Sequence, residues 1–255
     1  MRLPSVPRLI AASLLVCALG GALRLSTPMA MAQSVDADPK MDWSSMPGQA
    51  GRPHAPWAFR CTFNGTPRAF VAALAPSCWV VYDGSSCALD RVWNGGTDGI
   101  ELDGSVYTGN HGPNPTQKGP TLFEGVDGAF VVVADGKTTD VPATWKGYRI
   151  REGHVELLFD VAVPSGNATQ TATQTIRVTE RPEFVAGPKG QALERRFSVS
   201  AAPANGALGL RVPAKVETTG GTRAPGDADG AVITFDKSGE TTVSMTLPAS
   251  RGGAK

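Results

Sequence analysis

The chain has 255 residues, with 24 lysines and arginines against 23 aspartates and glutamates, 30 glycines, 20 prolines and four cysteines. Three of the arginines and none of the acids fall in the first 32 residues, so the remainder carries 21 bases against 23 acids, a balance of −2. Acids and bases are interspersed, which leaves no basic stripe for nucleic acid or for an anionic lipid surface.

Residues 1–32 read as a secretory signal peptide. Arg2 and Arg8 give a positive start, residues 9–23 form an uncharged and largely apolar run, and Ala30-Met31-Ala32 supplies small residues where a signal peptidase cuts. The run is shorter than the ~20 residues a membrane-spanning helix needs. Cys17 lies inside it behind Val16, where a lipoprotein signal wants a small residue. Cleavage near Ala32 is expected, giving a periplasmic or secreted protein with no membrane span. Residues 33–56 are polar, rich in Pro and Gly and without periodicity, and read as a flexible arm.

Residues 57–118 are the densest aromatic stretch. Segments at 57–63, 69–74, 78–82 and 87–93 have strand length and composition and are separated by turn residues. Asn64-Gly65 is a strong hairpin signal, and Asp83-Gly84-Ser85-Ser86 marks a second. Trp57, Phe59, Cys61 and Phe63 alternate with Ala58, Arg60 and Thr62, the pattern of a half-buried strand. Cys61, Cys78 and Cys87 follow the leader, and export permits a disulfide with one thiol left over. In a simple hairpin with Tyr82 opposite Cys87, Cys78 would face Arg91, so Cys61–Cys78 is the expected bridge. Gly112-Pro113 and Asn114-Pro115 stiffen a non-helical loop.

A further hairpin is expected at 123–140, with 130–134 as a buried strand and Asp135-Gly136 as its turn. The second half starts near Trp145. Val155, Leu157, Phe159, Val161 and Val163 form one unbroken apolar face, while Glu156 and Asp160 lie on the other. Residues 169–179 are Thr-rich and suit an edge or solvent-facing strand. Strands at 193–200, 207–212, 231–236 and 241–247 complete the series, 217–230 reads as a glycine-rich loop, and 249–255 as a mobile tail. With no 3.6-residue apolar period over ten or more residues, the chain is all-β. The expected architecture is a sandwich or supersandwich at 57–248, either one body or two abutting lobes meeting near 140–145.

The ordered motifs Pro56-Trp-Ala-Phe-Arg60, Cys78-Trp-Val-Val-Tyr-Asp83, Trp93-Asn-Gly-Gly96, Gly104-Ser-Val-Tyr-Thr108 and His111-Gly-Pro-Asn-Pro-Thr-Gln-Lys-Gly119 carry a resemblance. Weaker matches follow at Trp145-Lys-Gly-Tyr148, Arg177-Val-Thr-Glu180 and Leu193-Glu-Arg-Arg-Phe197. Over residues 56–200 the chain resembles an uncharacterised extracytoplasmic β-domain. In bacterial multidomain proteins that domain accompanies sorbosone/glucose-dehydrogenase-like propellers and c-type cytochrome modules. The resemblance implies an envelope setting, with sugars or an envelope oxidoreductase as partners. It carries over no catalytic residues.

His111 is the most suggestive ionisable residue, on a stiffened loop beside Asn110 and near Tyr107. It either binds a ligand hydroxyl or ties the loop to the body. Trp79, Trp93, Tyr82 and Tyr107 offer aromatic rings for sugar stacking. Trp79 and Tyr82 fall on opposite faces of one strand, so at least one of them belongs to the core. Trp93, beside Asn94-Gly95-Gly96, is the aromatic expected to be exposed. The candidate binding set is therefore His111, Asn110, Tyr107 and Trp93. His154 with Glu156 and Glu180 is the only hint of an acid/base pair in the second half. No metal-ligand spacing, haem-attachment motif, nucleophile elbow or dinucleotide fingerprint occurs, so no metal or cofactor is expected. The expected function is a non-catalytic binding or accessory module. The alternative is a sugar-active enzyme of supersandwich type using a His/carboxylate pair.

Overall fold

The structure, a computed structural model, describes residues 56–75, 78–95, 100–101, 114–125, 130–165, 172–187, 190–213, 217–219, 221–225, 230–237 and 239–248. The leader and the arm expected before residue 56, and the tail expected after 248, lie outside the described residues. In chain order the strands are β1 (Trp57–Phe63), β2 (Thr66–Ala75), β3 (Cys78–Tyr82), β4 (Leu89–Trp93), β5 (Ile100–Glu101) and β6 (Thr116–Gln117). There follow β7 (Thr121–Glu124), β8 (Phe130–Ala134), β9 (Lys137–Asp140), β10 (Ala143–Arg151), β11 (His154–Pro164) and β12 (Thr173–Gly187). The last six are β13 (Gly190–Val199), β14 (Ala207–Pro213), β15 (Glu217–Thr219), β16 (Thr222–Pro225), β17 (Gly230–Thr234) and β18 (Thr241–Leu247). The described residues contain no helix, and none is long and apolar enough to cross a membrane.

The chain is all-β and sandwich-like. A first sheet runs β1-β2-β3-β4-β7, a second β10-β11-β12-β13-β18-β15 and a third β16-β17-β14-β8-β9, with β5-β6 as a small separate ladder. All pairings are antiparallel. Because β8 pairs with β14, the third sheet takes strands from both sides of residues 140–145. That stretch carries the chain from the third sheet into the second.

Local chemistry explains the tight hairpins. Asn64 and Gly65 have φ of 46° and 84° between the partners Phe63 and Thr66. Asp135 and Gly136 have φ of 51° and 72° between Ala134 and Lys137. Two consecutive positive φ angles make the turn whose twist matches the flanking strands, and Asn, Asp and Gly reach them at least cost.

The second sheet follows its sequence pattern closely. Val155, Leu157, Phe159, Val161 and Val163 are each fully buried on β11, with partly buried residues between them. Burial of such side chains contributes about 1.5–3 kcal/mol each. They join Ile176, Val178, Leu193, Phe197 and the inner faces of the other two sheets in one hydrophobic core.

Three expectations need correction. Residues 173–179 belong to β12, which runs on to Gly187 between β11 and β13, so this is an interior strand. Its threonines mark an outward face, so the solvent-facing alternative holds and only the edge is corrected. Within 217–230, β15 and β16 pair with β18 and β17. In the β3–β4 connection Tyr82 stands opposite Leu89, two residues beyond the simple hairpin. There Asp83 accepts hydrogen bonds from Ser85 N at 2.8 Å and Ser86 Oγ at 2.9 Å, and Cys87 takes a φ of 62°.

Candidate functional site

His111, Asn110 and Tyr107 lie outside the described residues. Trp93 does not fit the expectation of exposure: it is fully buried. It stacks on Phe63 at 5.3 Å and leans on Trp79 at 5.4 Å, within a second cluster on the outer face of the first sheet. Register explains this, because Trp79 pairs with Trp93 and both side chains therefore share that face. Tyr82 takes the opposite face and is equally buried, so neither ring serves as an open stacking platform.

The expected Cys61–Cys78 bridge is also absent, and Cys61, Cys78 and Cys87 are free thiols. Cys61 packs against the outer cluster, whereas Cys78 belongs to the inner core, and β2 lies between their strands. A disulfide cannot span a sheet in that way. Burial pushes all three thiols up to about 12, with Asp83 and Glu180 adding to the effect at Cys87. They are poor nucleophiles at neutral pH. No group of three His, Cys, Asp or Glu among the described residues is placed to hold a metal ion.

The carboxylates suggested for acid/base work separate. Glu156 pairs with Arg149 on the outward face of the second sheet. Glu180 is fully buried in the core. It accepts a hydrogen bond from the Tyr82 hydroxyl across the two sheets, and Arg195 grips it in a fork, Nε to Oε1 at 2.6 Å and Nη2 to Oε2 at 3.1 Å. Burial and the Glu180 charge hold the Tyr82 phenol well above its usual range. This triad is a structural tie. The pattern that marks it was present in the sequence: Glu180 continues the Ile176, Val178 face and Arg195 sits between Leu193 and Phe197. Opposite charges thus occupy apolar-face positions on consecutive strands.

His154 instead meets Glu183, with Nδ1 2.8 Å from Oε1. Continuing the β11–β12 register places the two side by side. Glu183 is also approached by Arg181 Nε and Arg196 Nη2, each at 3.0 Å. The contacts at Oε1 are out of line for hydrogen bonding, so that buried oxygen and Arg181 Nε keep only electrostatic partners. The group borders a pocket of about 260 Å³ that Leu74, Pro182 and Phe184 help to line.

A larger opening lies where the first and second sheets part. This cleft, of about 490 Å³, has Arg60 and Arg68 on one wall, Ala143, Thr144 and Trp145 on the other, and Gly84-Ser85 at its end. Each wall carries a β-bulge. On β2, Pro67 and Arg68 together face the single residue Thr62, since Cys61 pairs with Ala69 and Phe63 with Thr66. On β10, Lys146 is the extra residue between the Trp145–Phe159 and Gly147–Leu158 pairs. Bulges bend a strand and re-aim its side chains, and they recur beside binding sites.

Arg68 sits in the bulge with a φ of 58°, in the left-handed region that non-glycine residues seldom adopt. A Cβ at position 84 would lie 2.2 Å from the Arg68 carbonyl oxygen, so only glycine lets the β3–β4 connection close on that backbone. Arg60 projects from the same wall, opposite Phe70 in register. Its guanidinium lies 5.7 Å from the centre of the Trp145 ring and donates a long hydrogen bond to the Arg68 carbonyl, at 3.4 Å. Trp145 is itself held against Phe70 at 5.0 Å and Phe159 at 5.5 Å. The result is an open, cationic groove with an aromatic wall and the hydroxyl-bearing residues Ser85 and Thr144. Sequence reading missed it because Arg60 and Trp145 looked like ordinary strand residues.

No family model matches the chain, and no curated protein sequence or solved structure matches it significantly.

Proposed function

We propose that this chain is an exported, non-catalytic binding module of the bacterial envelope, and that its ligand is a carbohydrate received in the Arg60–Arg68–Trp145 cleft. The observation that carries this reading is the cleft itself, an opening of about 490 Å³ between two sheets, lined by Arg60 and Arg68, with the Arg60 guanidinium facing a half-buried indole. Sugars present apolar C–H faces and hydrogen-bonding hydroxyls, and such a wall serves both. The leader-like first 32 residues support export. The resemblance supports the envelope setting and an oxidoreductase as neighbour. A polysaccharide binding screen on the wild type and on Ser85→Trp tests the reading, because Ser85 is exposed at the end of the cleft and a bulky ring there obstructs it. Binding that Ser85→Trp abolishes at unchanged thermal stability is expected. Binding that survives places the ligand elsewhere.

One observation favours the alternative of a sugar-active enzyme: the contact of His154 with Glu183 beside a pocket. The imidazole and the carboxylate stand in charge contact at the rim of a pocket, within reach of a small sugar. Hydrolysis or isomerisation of a sugar that His154→Ala abolishes would support it. The neighbouring Arg181, Arg196 and Glu194 form an outward-facing ladder of ion pairs, which explains the same contact without catalysis.

A further inference from the structure

Arg60 and Arg68 stand apart from eight of the other arginines. Eight arginines among the described residues lie beside a carboxylate, on the outward faces of the sheets as well as in the core. Arg60 and Arg68 have no carboxylate partner among the described residues, and both line the same cleft. The acid nearest in sequence to the end of that cleft, Asp83, is occupied by the turn it caps, through Ser85 N and Ser86 Oγ. A cleft lined by two cations without a counter-ion attracts an anion.

The placement of the pair is built rather than incidental. Arg68 is set by a bulge and a left-handed backbone, and its carbonyl is clasped by Gly84. The same carbonyl accepts from Arg60, whose guanidinium rests over Trp145. A guanidinium offers a planar fork of N–H donors that matches the two oxygens of a carboxylate. Trp145 and the Thr144 and Ser85 hydroxyls beside it suit a ring with apolar faces and hydroxyl groups.

We propose that the ligand of this cleft is a carboxylated carbohydrate, a uronic-acid polymer, whose carboxylate is received by Arg60 and Arg68. This rests on the reading of the cleft as a carbohydrate site. The anion gives the affinity and the aromatic wall holds the sugar ring. Neutral polysaccharides lack the group that the two arginines are set to receive.

The test measures binding of polygalacturonate, neutral dextran and dextran sulfate to wild type, Ser85→Trp, Arg68→Ala and Arg68→Lys, with thermal stability followed for each. Polygalacturonate is expected to bind the wild type. Its affinity should fall about ten- to a hundredfold in Arg68→Ala, the loss of a hydrogen bond to a charged group. Arg68→Lys should restore little of it, because a lysine keeps the charge and loses the fork. Dextran bound as tightly as polygalacturonate, and blocked by Ser85→Trp, would overturn the acidic ligand while leaving the cleft as a sugar site. Dextran sulfate bound as tightly, with Arg68→Lys equal to wild type, would reduce the site to a charged patch and overturn carboxylate recognition. Binding of none of the three would overturn both readings. If Arg68→Ala lowers thermal stability, Arg68→Lys read against the wild type still decides the question.

Discussion

Arg195 and Arg60 solve the same problem in two ways. Both rise from strands of the sandwich toward the space between sheets, and both lie over aromatic rings: Arg195 over Phe197 at 5.1 Å and Tyr82 at 5.7 Å, Arg60 over Trp145 at 5.7 Å. Arg195 is buried and carries its own counter-ion, Glu180, in a two-pronged contact. Arg60 is exposed at the mouth of a cleft and has an aromatic ring without a carboxylate. A charge taken out of water must be matched within the fold, since its desolvation costs several kcal/mol. A charge that water still reaches can be left unmatched at little cost. The first arrangement serves the fold, and the second leaves a cation available to a ligand.

The largest expected effect is on the buried side. Glu180→Gln leaves Arg195 as an uncompensated interior charge and should lower unfolding free energy by about 3–5 kcal/mol, read by chemical denaturation. Replacing the pair together, Glu180→Leu with Arg195→Met, should recover much of that loss, because no charge is then left alone. A double replacement no better than the single one would show that the pair's geometry, and not its neutralisation, holds the sheets.

Alkaline pH probes the same interior. The Cys78 thiol is fully buried and pushed up from 9.0 to about 12. The folded state therefore holds its proton more tightly than the unfolded chain does. Its stabilising contribution is complete below about pH 9 and is lost as pH rises toward 12, by roughly 4 kcal/mol at the upper end. Cys78→Ala, at some cost in packing, should make that limb of the stability–pH curve shallower, with Cys61, Cys87 and Tyr82 carrying the rest. An unchanged limb would place the alkaline sensitivity in another group.

Much of the fold was legible because it is written locally. Asn64-Gly65 and Asp135-Gly136 make their turns from their own backbone preferences, and the β11 apolar face declares itself by alternation. The errors share a different cause. Trp93 and Cys61 lie on the outer face of the first sheet, and alternation tells which residues share a face but not which faces become buried. The middle of β2 and all of β3 are buried on both sides, so a rule that assigns one face of the sheet to water fails there. The cleft was illegible for a related reason. It needs a bulge at Arg68, a second bulge at Lys146, and the meeting of two strands far apart in sequence.

Between these extremes lies Tyr82, the only member of the buried triad that comes from the first sheet. Tyr82→Phe keeps the ring in the core and removes the hydroxyl that donates to Glu180 across the sheets. The expected cost is about 1.5–3 kcal/mol, that of a hydrogen bond to a charged acceptor. Glu180 keeps both contacts from Arg195, so the loss should be smaller than in Glu180→Gln. Equal losses from the two changes would mean that the ion pair depends on the tyrosine for its position.

The smallest effect on stability is expected at the cleft, and it bears most directly on the comparison. Arg60→Ala removes a guanidinium resting on Trp145 and one long hydrogen bond to the Arg68 carbonyl. At an exposed site a cation over an aromatic ring is worth about 0.5–1 kcal/mol. For a domain of this size that amounts to a melting shift of about 1–4 °C. A stability loss matching that of Glu180→Gln would mean that Arg60 holds the cleft wall as Arg195 holds the core, and the distinction between a matched and an available charge would fail. A small loss in stability accompanied by a large loss in acidic-polysaccharide binding would separate the two arginines as the structure does.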